Sequence, residues 1–240
     1  LEFRRVLFRS QGLRLIGLAT RTLPLRERYD RNDETDLVFE GFLAFFDRPK
    51  EGVRETISDL RKLGVSVKII TGDVEAVART VAEQVQFGST RTITGEKLDL
   101  IHDEALWRIA EHTDIFAAVD PNQKERIIRA LKRMGRVVGF MGDGINDVPA
   151  MHAADTSLSV DQAVDVAREA ADFILLERDL DVIRRGIEEG RRTFANTLKY
   201  ILISTSSNLG NMLSMAATSL FLPFLPLLAP QILLNNLLAD

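Results

Sequence analysis

Between Leu13 and Leu176, short apolar runs alternate with longer segments whose apolar residues recur at helical spacing. Leu13–Thr20 and Leu37–Phe46 read as strands, joined by a polar, proline-containing connection over Arg21–Thr35. Pro49 opens a helix with Val53, Ile57 and Leu60 inward and Gly64 as its stop. Val65–Ile70 is a short buried-strand pattern ending in Thr71-Gly72-Asp73. Val74, Val77, Val81 and Val85 then define one helical face. Ile115–Val119 reads as a strand before a helix over Asp120–Gly135, with Ile127, Ile128 and Leu131 inward. Arg136–Met141 is a further strand. Thr156–Val160 and Asp172–Leu176 are two more, separated by a helical 161–170. This order predicts an α/β domain with a mostly parallel, doubly wound sheet and helices on both faces.

From Leu180 the pattern becomes one long helix, and its charge pattern breaks in two. Charges are scattered from Arg4 to Lys199, and none occurs from Tyr200 to Ala239. A spanning helix takes roughly 20 mostly apolar residues, so this tail has room for about two. The predicted layout is a stalk helix over 180–197, a transmembrane helix over 198–222, an extracytoplasmic turn over 223–230 with Pro223, Pro226 and Pro230, and the start of a second transmembrane helix over 231–240. Arg191, Arg192 and Lys199 put the near end of the first span in the cytoplasm. Residues 1–10 match the translation of a common sequencing-library adapter and are expected to be an artefact. The chain runs to Asp240 inside an apolar stretch, so it is expected to be part of a longer protein.

Composition narrows the chemistry. The 240 residues contain no cysteine, which removes disulfides and thiolate metal sites. A net charge of -4 offers no electrostatic footprint for nucleic acid. His102, His112 and His152 are scattered, which argues against a histidine metal site. Trp107 is most simply a packing residue.

In an open parallel sheet, ligands bind at the carboxyl ends of the strands. Three polar clusters fall there: Thr71-Gly72-Asp73, Asp120–Lys124 and Asp143–Asp147. A hydroxyl, an ammonium and carboxylates on one rim suit a phosphoryl group with Mg²⁺. Lys124 would neutralise phosphate charge, and Thr71 would donate a hydrogen bond. Asp143 offers the hard oxygen that Mg²⁺ prefers. Gly142 and Gly144 would let the backbone turn closely. Taken singly, an Asp-Gly pair is first of all a turn.

The run Met141–Met151, "MGDGINDVPAM", resembles the hinge motif GDGxNDxPAL of P-type ATPases. Gly142, Asp143, Gly144, Asn146, Asp147, Pro149 and Ala150 match, and Met151 replaces the leucine. "KIITGD" and "DPNQKERI" are similar to two further motifs of that family, in its order. "DRPK" resembles its DPP motif, with Arg48 in place of the first proline. "GLRLIGLATR" resembles the end of its nucleotide-binding domain. The resemblance covers residues 11–240. It implies a haloacid-dehalogenase-like Rossmann domain over 36–179, with 11–35 closing the nucleotide-binding domain.

It also implies an ATP-driven aspartyl-phosphate cycle with ATP and Mg²⁺ as cofactors. Asp143 would ligate Mg²⁺, and Asn146 and Asp147 would order the phosphate site. Thr71, Gly72 and Lys124 would hold the phosphoryl group, Asp73 would support the nucleotide and hinge, and Arg14 would approach the ATP phosphates. The family's nucleophilic DKTGT motif does not occur in these residues, so the chain alone is expected to be inactive.

Polar side chains within a span mark either an ion path or hydrogen bonds between helices. Asn208 and Asn211 share one helical face, and Asn236 and Asp240 are four apart. The combination of "SSNLGN", "FLPFLP" and "NLLAD" is most similar to the bacterial magnesium-transporting branch. That resemblance implies these four residues as ligands of a transported divalent cation, a lipid membrane as partner, and a multi-pass protein of the bacterial plasma membrane. Asn235-Asn236 and Ala239 depart slightly from the branch. The alternatives are a calcium or other cation pump, a soluble dehalogenase-type phosphatase, and a non-catalytic membrane-anchored module. The uncharged tail argues against the phosphatase, and an upstream DKTGT would exclude the module.

Overall fold

The computed structural model describes residues 14–23, 30–31, 34–45, 49–88, 91–177, 179–224 and 228–239. The adapter-like residues 1–10, Arg48 and Asp240 lie outside the described residues, as do the side chains of Arg14 and Asn236. The chain divides into two compact units, residues 1–184 and 185–240.

The first unit begins with an antiparallel ribbon formed by the two apolar runs that the sequence marks as strands. Strand β1 (Arg14–Thr20) pairs with β2 (Val38–Phe45), and the register shifts between Leu18 and Ala19. Phe39 and Phe42 meet edge to face at 4.9 Å between ring centres.

The parallel part differs from the single doubly wound sheet expected. Strands β3 (Ile69–Ile70), β4 (Thr92–Thr94) and β5 (Ile115–Ala117) form one three-stranded sheet in the order β3-β5-β4. Strands β6 (Gly139–Met141), β7 (Thr156–Val160) and β8 (Phe173–Leu175) form another, in the order β6-β7-β8. Both are parallel. They remain separate because, among the described residues, no strand bonds β3 to β6.

Helices α1 (Val53–Lys62), α2 (Glu75–Gln84), α3 (Gly95–Asp99), α4 (Asp103–His112), α5 (Pro121–Arg133), α6 (Val148–Ala153) and α7 (Asp165–Glu169) complete the unit. One core cluster gathers Phe116, Ile127, Ile128, Leu131, Phe140 and Met151, and Trp107 packs against it as expected. A second gathers Ile57, Ala78, Ala82, Val85 and Ile115. Phe116 is fully buried, which stabilises the fold by about 2 kcal/mol. The valine face predicted for α2 is buried in part: Val85 is in the second cluster, and Val77 and Val81 are half-buried. Ala78 and Ala82 are buried while Val74 is exposed, because small residues let the helix approach β5. β4 and α3 were not predicted, since "TIT" is too short and polar to signal a strand.

The second unit is helical. A single helix, α8 (Asp181–Ser219), runs continuously through the predicted stalk from Asp181 and most of the predicted span. It stops three residues before Leu222, so Leu220–Leu222 lie outside it. Helix α9 (Ala229–Ala239) begins two residues earlier than predicted. Among the described residues, no helix is long and apolar enough to cross a membrane. The residues 204–208, Ser-Thr-Ser-Ser-Asn, together with Asn211 dilute the apolar character of α8.

Candidate functional site

Helix α5 starts where its sequence dictates. Asp120 caps it, accepting from Gln123 N–H at 2.8 Å, and Gln123 Oε1 accepts from Asp120 N–H at 3.1 Å. Pro121 occupies the first turn, where its missing N–H costs nothing. The buried Gln123 amide also donates to Gly95 C=O at 3.1 Å and Asp99 Oδ1 at 2.6 Å. This anchored start holds Lys124 one turn into the helix.

Lys124 Nζ donates to Asp147 Oδ1 at 2.6 Å, and the two side chains are only 12% and 13% exposed. The other carboxylate oxygen of Asp147 accepts from Asp143 N–H and Gly144 N–H, each at 3.3 Å. One aspartate therefore ties α5 to the backbone of the loop after β6. Gly142 is required for this. A Cβ there would lie 2.4 Å from Asp147 Cβ, and its carbonyl accepts from the buried Ser159 hydroxyl at 2.8 Å. Gly144 is not required on the same ground, because a Cβ there would lie 3.7 Å from Asp147 Oδ2. The close turn expected of both glycines belongs to Gly142.

The Thr71 loop is braced differently. Thr71 N–H donates to Phe116 C=O at 2.9 Å, and Val119 N–H donates to Thr71 C=O at 3.1 Å. Asp73 N–H donates to the Thr71 hydroxyl at 3.1 Å, and that hydroxyl donates to Asp73 Oδ2 at 3.2 Å. Asp73 thus positions Thr71. Ala118 N–H donates to Asp73 C=O at 2.7 Å, with Ala118 itself in the left-handed region at φ 52°.

A cleft of about 690 Å³ lies where these loops meet, lined by Thr71, Gly72, Lys124, Asp143 and Asp147. Five residues named from sequence therefore converge. Asp73 and Asn146 do not line it; Asn146 is exposed. Lys50, the last residue of the DRPK run, and Asp179 also line it, and neither was named as a site residue from sequence. Ser159 was also missed, and its only signal was a polar residue at a buried strand position.

The donor set fits Mg²⁺. The Asp143 carboxylate is exposed on the rim and makes no ion pair among the described residues. Mg²⁺ typically takes one or two carboxylates and keeps several waters or phosphate oxygens. No group of three or more His, Cys, Asp or Glu able to hold a metal occurs among the described residues.

Of the predicted transport ligands, Asn208 and Asn211 lie on α8, while the Asn236 side chain and Asp240 lie outside the described residues. Asn208 is exposed on α8. Asn211 Nδ2, one turn on, is buried without a hydrogen-bond partner among the described residues.

A family model for haloacid dehalogenase-like hydrolases matches residues 4–155. The chain is 52% identical over 231 residues to the magnesium-transporting ATPase, P-type 1, of Escherichia coli, covering 96% of this chain and 26% of that protein. Its Salmonella typhimurium counterpart gives the same identity and coverage. A calcium-transporting ATPase of Bacillus subtilis is 34% identical over 235 residues, again covering 96% and 26%. The chain thus spans about a quarter of the length of the curated relatives it matches.

Proposed function

Because this chain belongs to the haloacid dehalogenase-like hydrolase family, we propose that its cleft is the phosphoryl-binding half of an ATP-driven cation pump. The observation that carries the reading is the meeting of Thr71, Lys124, Asp143 and Asp147 on one cleft, at the carboxyl ends of β3 and β6.

The roles follow from the contacts. Thr71, oriented by Asp73, offers its hydroxyl and the following backbone to phosphoryl oxygens. Lys124 supplies positive charge in a mostly enclosed place, where it acts more strongly than in water. Asp147 holds Lys124 and the loop amides in register. Asp143 would hold Mg²⁺, which when bound neutralises charge on the transferring group. Gly72 lets the loop run past the phosphate, Asn146 shapes the loop from its outer face, and Arg14 would approach the nucleotide. ATP is the proposed phosphoryl donor and an aspartate of a DKTGT segment the proposed acceptor.

We read the cargo as Mg²⁺, moved into the cytoplasm. The support is the higher identity to magnesium-transporting than to calcium-transporting relatives, 52% against 34%. The uncharged stretch from Tyr200 to Ala239 supports a multi-pass protein of the bacterial plasma membrane, with the cleft on the cytoplasmic side. Asn208, Asn211, Asn236 and Asp240 are the proposed cation ligands.

The test is reconstitution of the full-length protein in vesicles, with ATPase activity measured against Mg²⁺ and Ca²⁺. Stimulation by Mg²⁺ together with an acid-stable phosphoenzyme is expected. Stimulation by Ca²⁺ alone would move the reading to the calcium pumps.

A further inference from the structure

The loop that follows β6 is gripped from β7 and from the segment after it. Gly142 N–H donates to Leu158 C=O at 3.1 Å, and the Ser159 hydroxyl donates to Gly142 C=O at 2.8 Å. Val164 N–H donates to Asp143 C=O at 3.2 Å. Two of these contacts are backbone bonds that most residue types would supply. The third comes from a side chain, and that side chain is fully buried. An enclosed hydroxyl costs stability unless it is bonded. Alanine would fill nearly the same space without that cost, so the contact with Gly142 is what the hydroxyl supplies.

Gly142 C=O and Asp143 N–H belong to one peptide unit. The unit is trans, so its C=O and N–H point in opposite directions. With the oxygen held toward β7, the N–H is aimed at Asp147 Oδ2, 3.3 Å away. That oxygen also accepts from Gly144 N–H at 3.3 Å, and Oδ1 accepts from Lys124 Nζ at 2.6 Å. A chain of contacts therefore runs from Ser159 through one peptide plane to Asp147 and on to Lys124. The Cα of Asp143, whose carboxylate is exposed on the rim, lies in the same plane.

This plane is easy to turn. Rotating it changes ψ of Gly142 and φ of Asp143, and a residue without a Cβ accepts a wide range of backbone angles. The 3.3 Å contact to Asp147 is long for an N–H···O bond. The 2.8 Å bond from Ser159 is the tighter of the two that hold the plane.

We infer that Ser159 is a positioning residue of the cleft. Its hydroxyl locks the Gly142–Asp143 peptide plane, and so sets the Asp143 carboxylate and, through Asp147, the Lys124 ammonium. Without the hydroxyl the plane turns, Asp147 loses a donor and Asp143 leaves its place on the rim. The lock stands on these contacts; its effect on Mg²⁺ rests on the pump reading.

The test compares Ser159→Ala with Ser157→Ala in the whole 240-residue chain. Ser157 lies two residues earlier on β7 and is also buried. Its hydroxyl donates to Asp172 Oδ2 at 2.9 Å and Ala170 C=O at 3.0 Å, outside the loop. Loss of either hydroxyl lowers stability, and only loss of the Ser159 hydroxyl reaches the cleft. In Ser159→Ala, amide hydrogen exchange at Asp143 should quicken by at least about tenfold relative to that at Gly142, whose N–H stays bonded to Leu158. Mg²⁺ affinity, measured by calorimetry, should fall by about tenfold. Ser159→Cys has a weaker donor of similar shape and should lie between wild type and Ser159→Ala in both measurements. Ser157→Ala should keep the wild-type exchange ratio and Mg²⁺ affinity.

Equal quickening at Asp143 and Gly142 in Ser159→Ala would make the serine merely structural and overturn the inference. So would an equal loss of Mg²⁺ affinity in Ser157→Ala, or a selective change at Asp143 that leaves a wild-type Mg²⁺ affinity. If Ser159→Ala does not fold, Ser159→Cys is read by the same criteria. A wild-type chain that binds no Mg²⁺ sinks the pump reading, and the exchange ratio alone then decides the lock.

Discussion

Lys124 and Asp147, twenty-three positions apart, form an ion pair of 2.6 Å with both side chains nearly enclosed. The pair joins the start of α5 to the loop after β6, and the rim of the cleft is organised around it. Removing one partner leaves the other charge largely desolvated, at a cost of about 3 kcal/mol. Lys124→Met and Asp147→Asn should each lower the urea midpoint, and the double variant should recover part of the loss. Additive losses would show that the pair is not coupled.

Gly142 and Gly144 separate a packing requirement from a merely conventional glycine. Gly142→Ala forces its Cβ against Asp147, 2.4 Å away in the present geometry. A melting-point loss equivalent to about 1–3 kcal/mol is expected. Gly144→Ala should stay within about 0.5 kcal/mol. Equal losses at the two sites would contradict the close approach.

Acid should loosen the β6–β8 sheet through two carboxylates. The Val138 N–H, donating at 2.9 Å, and then Lys132 hold Asp155 below the usual carboxylate range. The Ser157 N–H at 2.7 Å and then its hydroxyl do the same for Asp172. Their folded pKa values lie below the unfolded ones, so the unfolded chain binds more protons in that window. The stability they contribute is present above an unfolded pKa of about 3.9 and lost as pH falls through the folded values. Asp155→Asn and Asp172→Asn should lower the urea midpoint at pH 7 and flatten its fall between about pH 5 and 2. A wild-type slope in both variants would remove these groups from the acid response.

Asp143 offers a contrast to Asp147. Its carboxylate is exposed and supports no other described residue. Asp143→Asn should leave the melting point within about 0.5 kcal/mol of wild type. It should weaken Mg²⁺ binding by at least about tenfold, roughly 1.4 kcal/mol, as measured by calorimetry on the 240-residue chain. Unchanged Mg²⁺ affinity would move the ion elsewhere.

Local order was readable where one short-range force dominates. A helix opening at Asp120 was readable, and the structure shows Asp120, Pro121 and Gln123 fixing its start through a cap that closes within four residues. Ile127, Ile128 and Leu131 mark its buried face by their spacing alone. The Asp143–Asp147 run was singled out by its resemblance to a family motif, since taken singly its Asp-Gly pair reads only as a turn. On α2 the valines marked the buried side only in part, with Val85 in the core and Val74 exposed, because valine outranks alanine in hydrophobicity. The packing distance to β5 nevertheless favoured Ala78 and Ala82. The first span was placed from the lack of charge, a criterion blind to the hydroxyl and amide groups that dilute the apolar character of α8.

The sequence by itself determined the α/β order, the cap of α5 and the three polar loops, because each depends on neighbours within a few residues. Only the tertiary structure decided that Lys124 meets Asp147, that Gly142 rather than Gly144 makes the close approach, and that the strands form two parallel sheets facing one cleft. Those outcomes depend on side-chain volumes and backbone edges brought together from distant positions, and no local pattern encodes that packing.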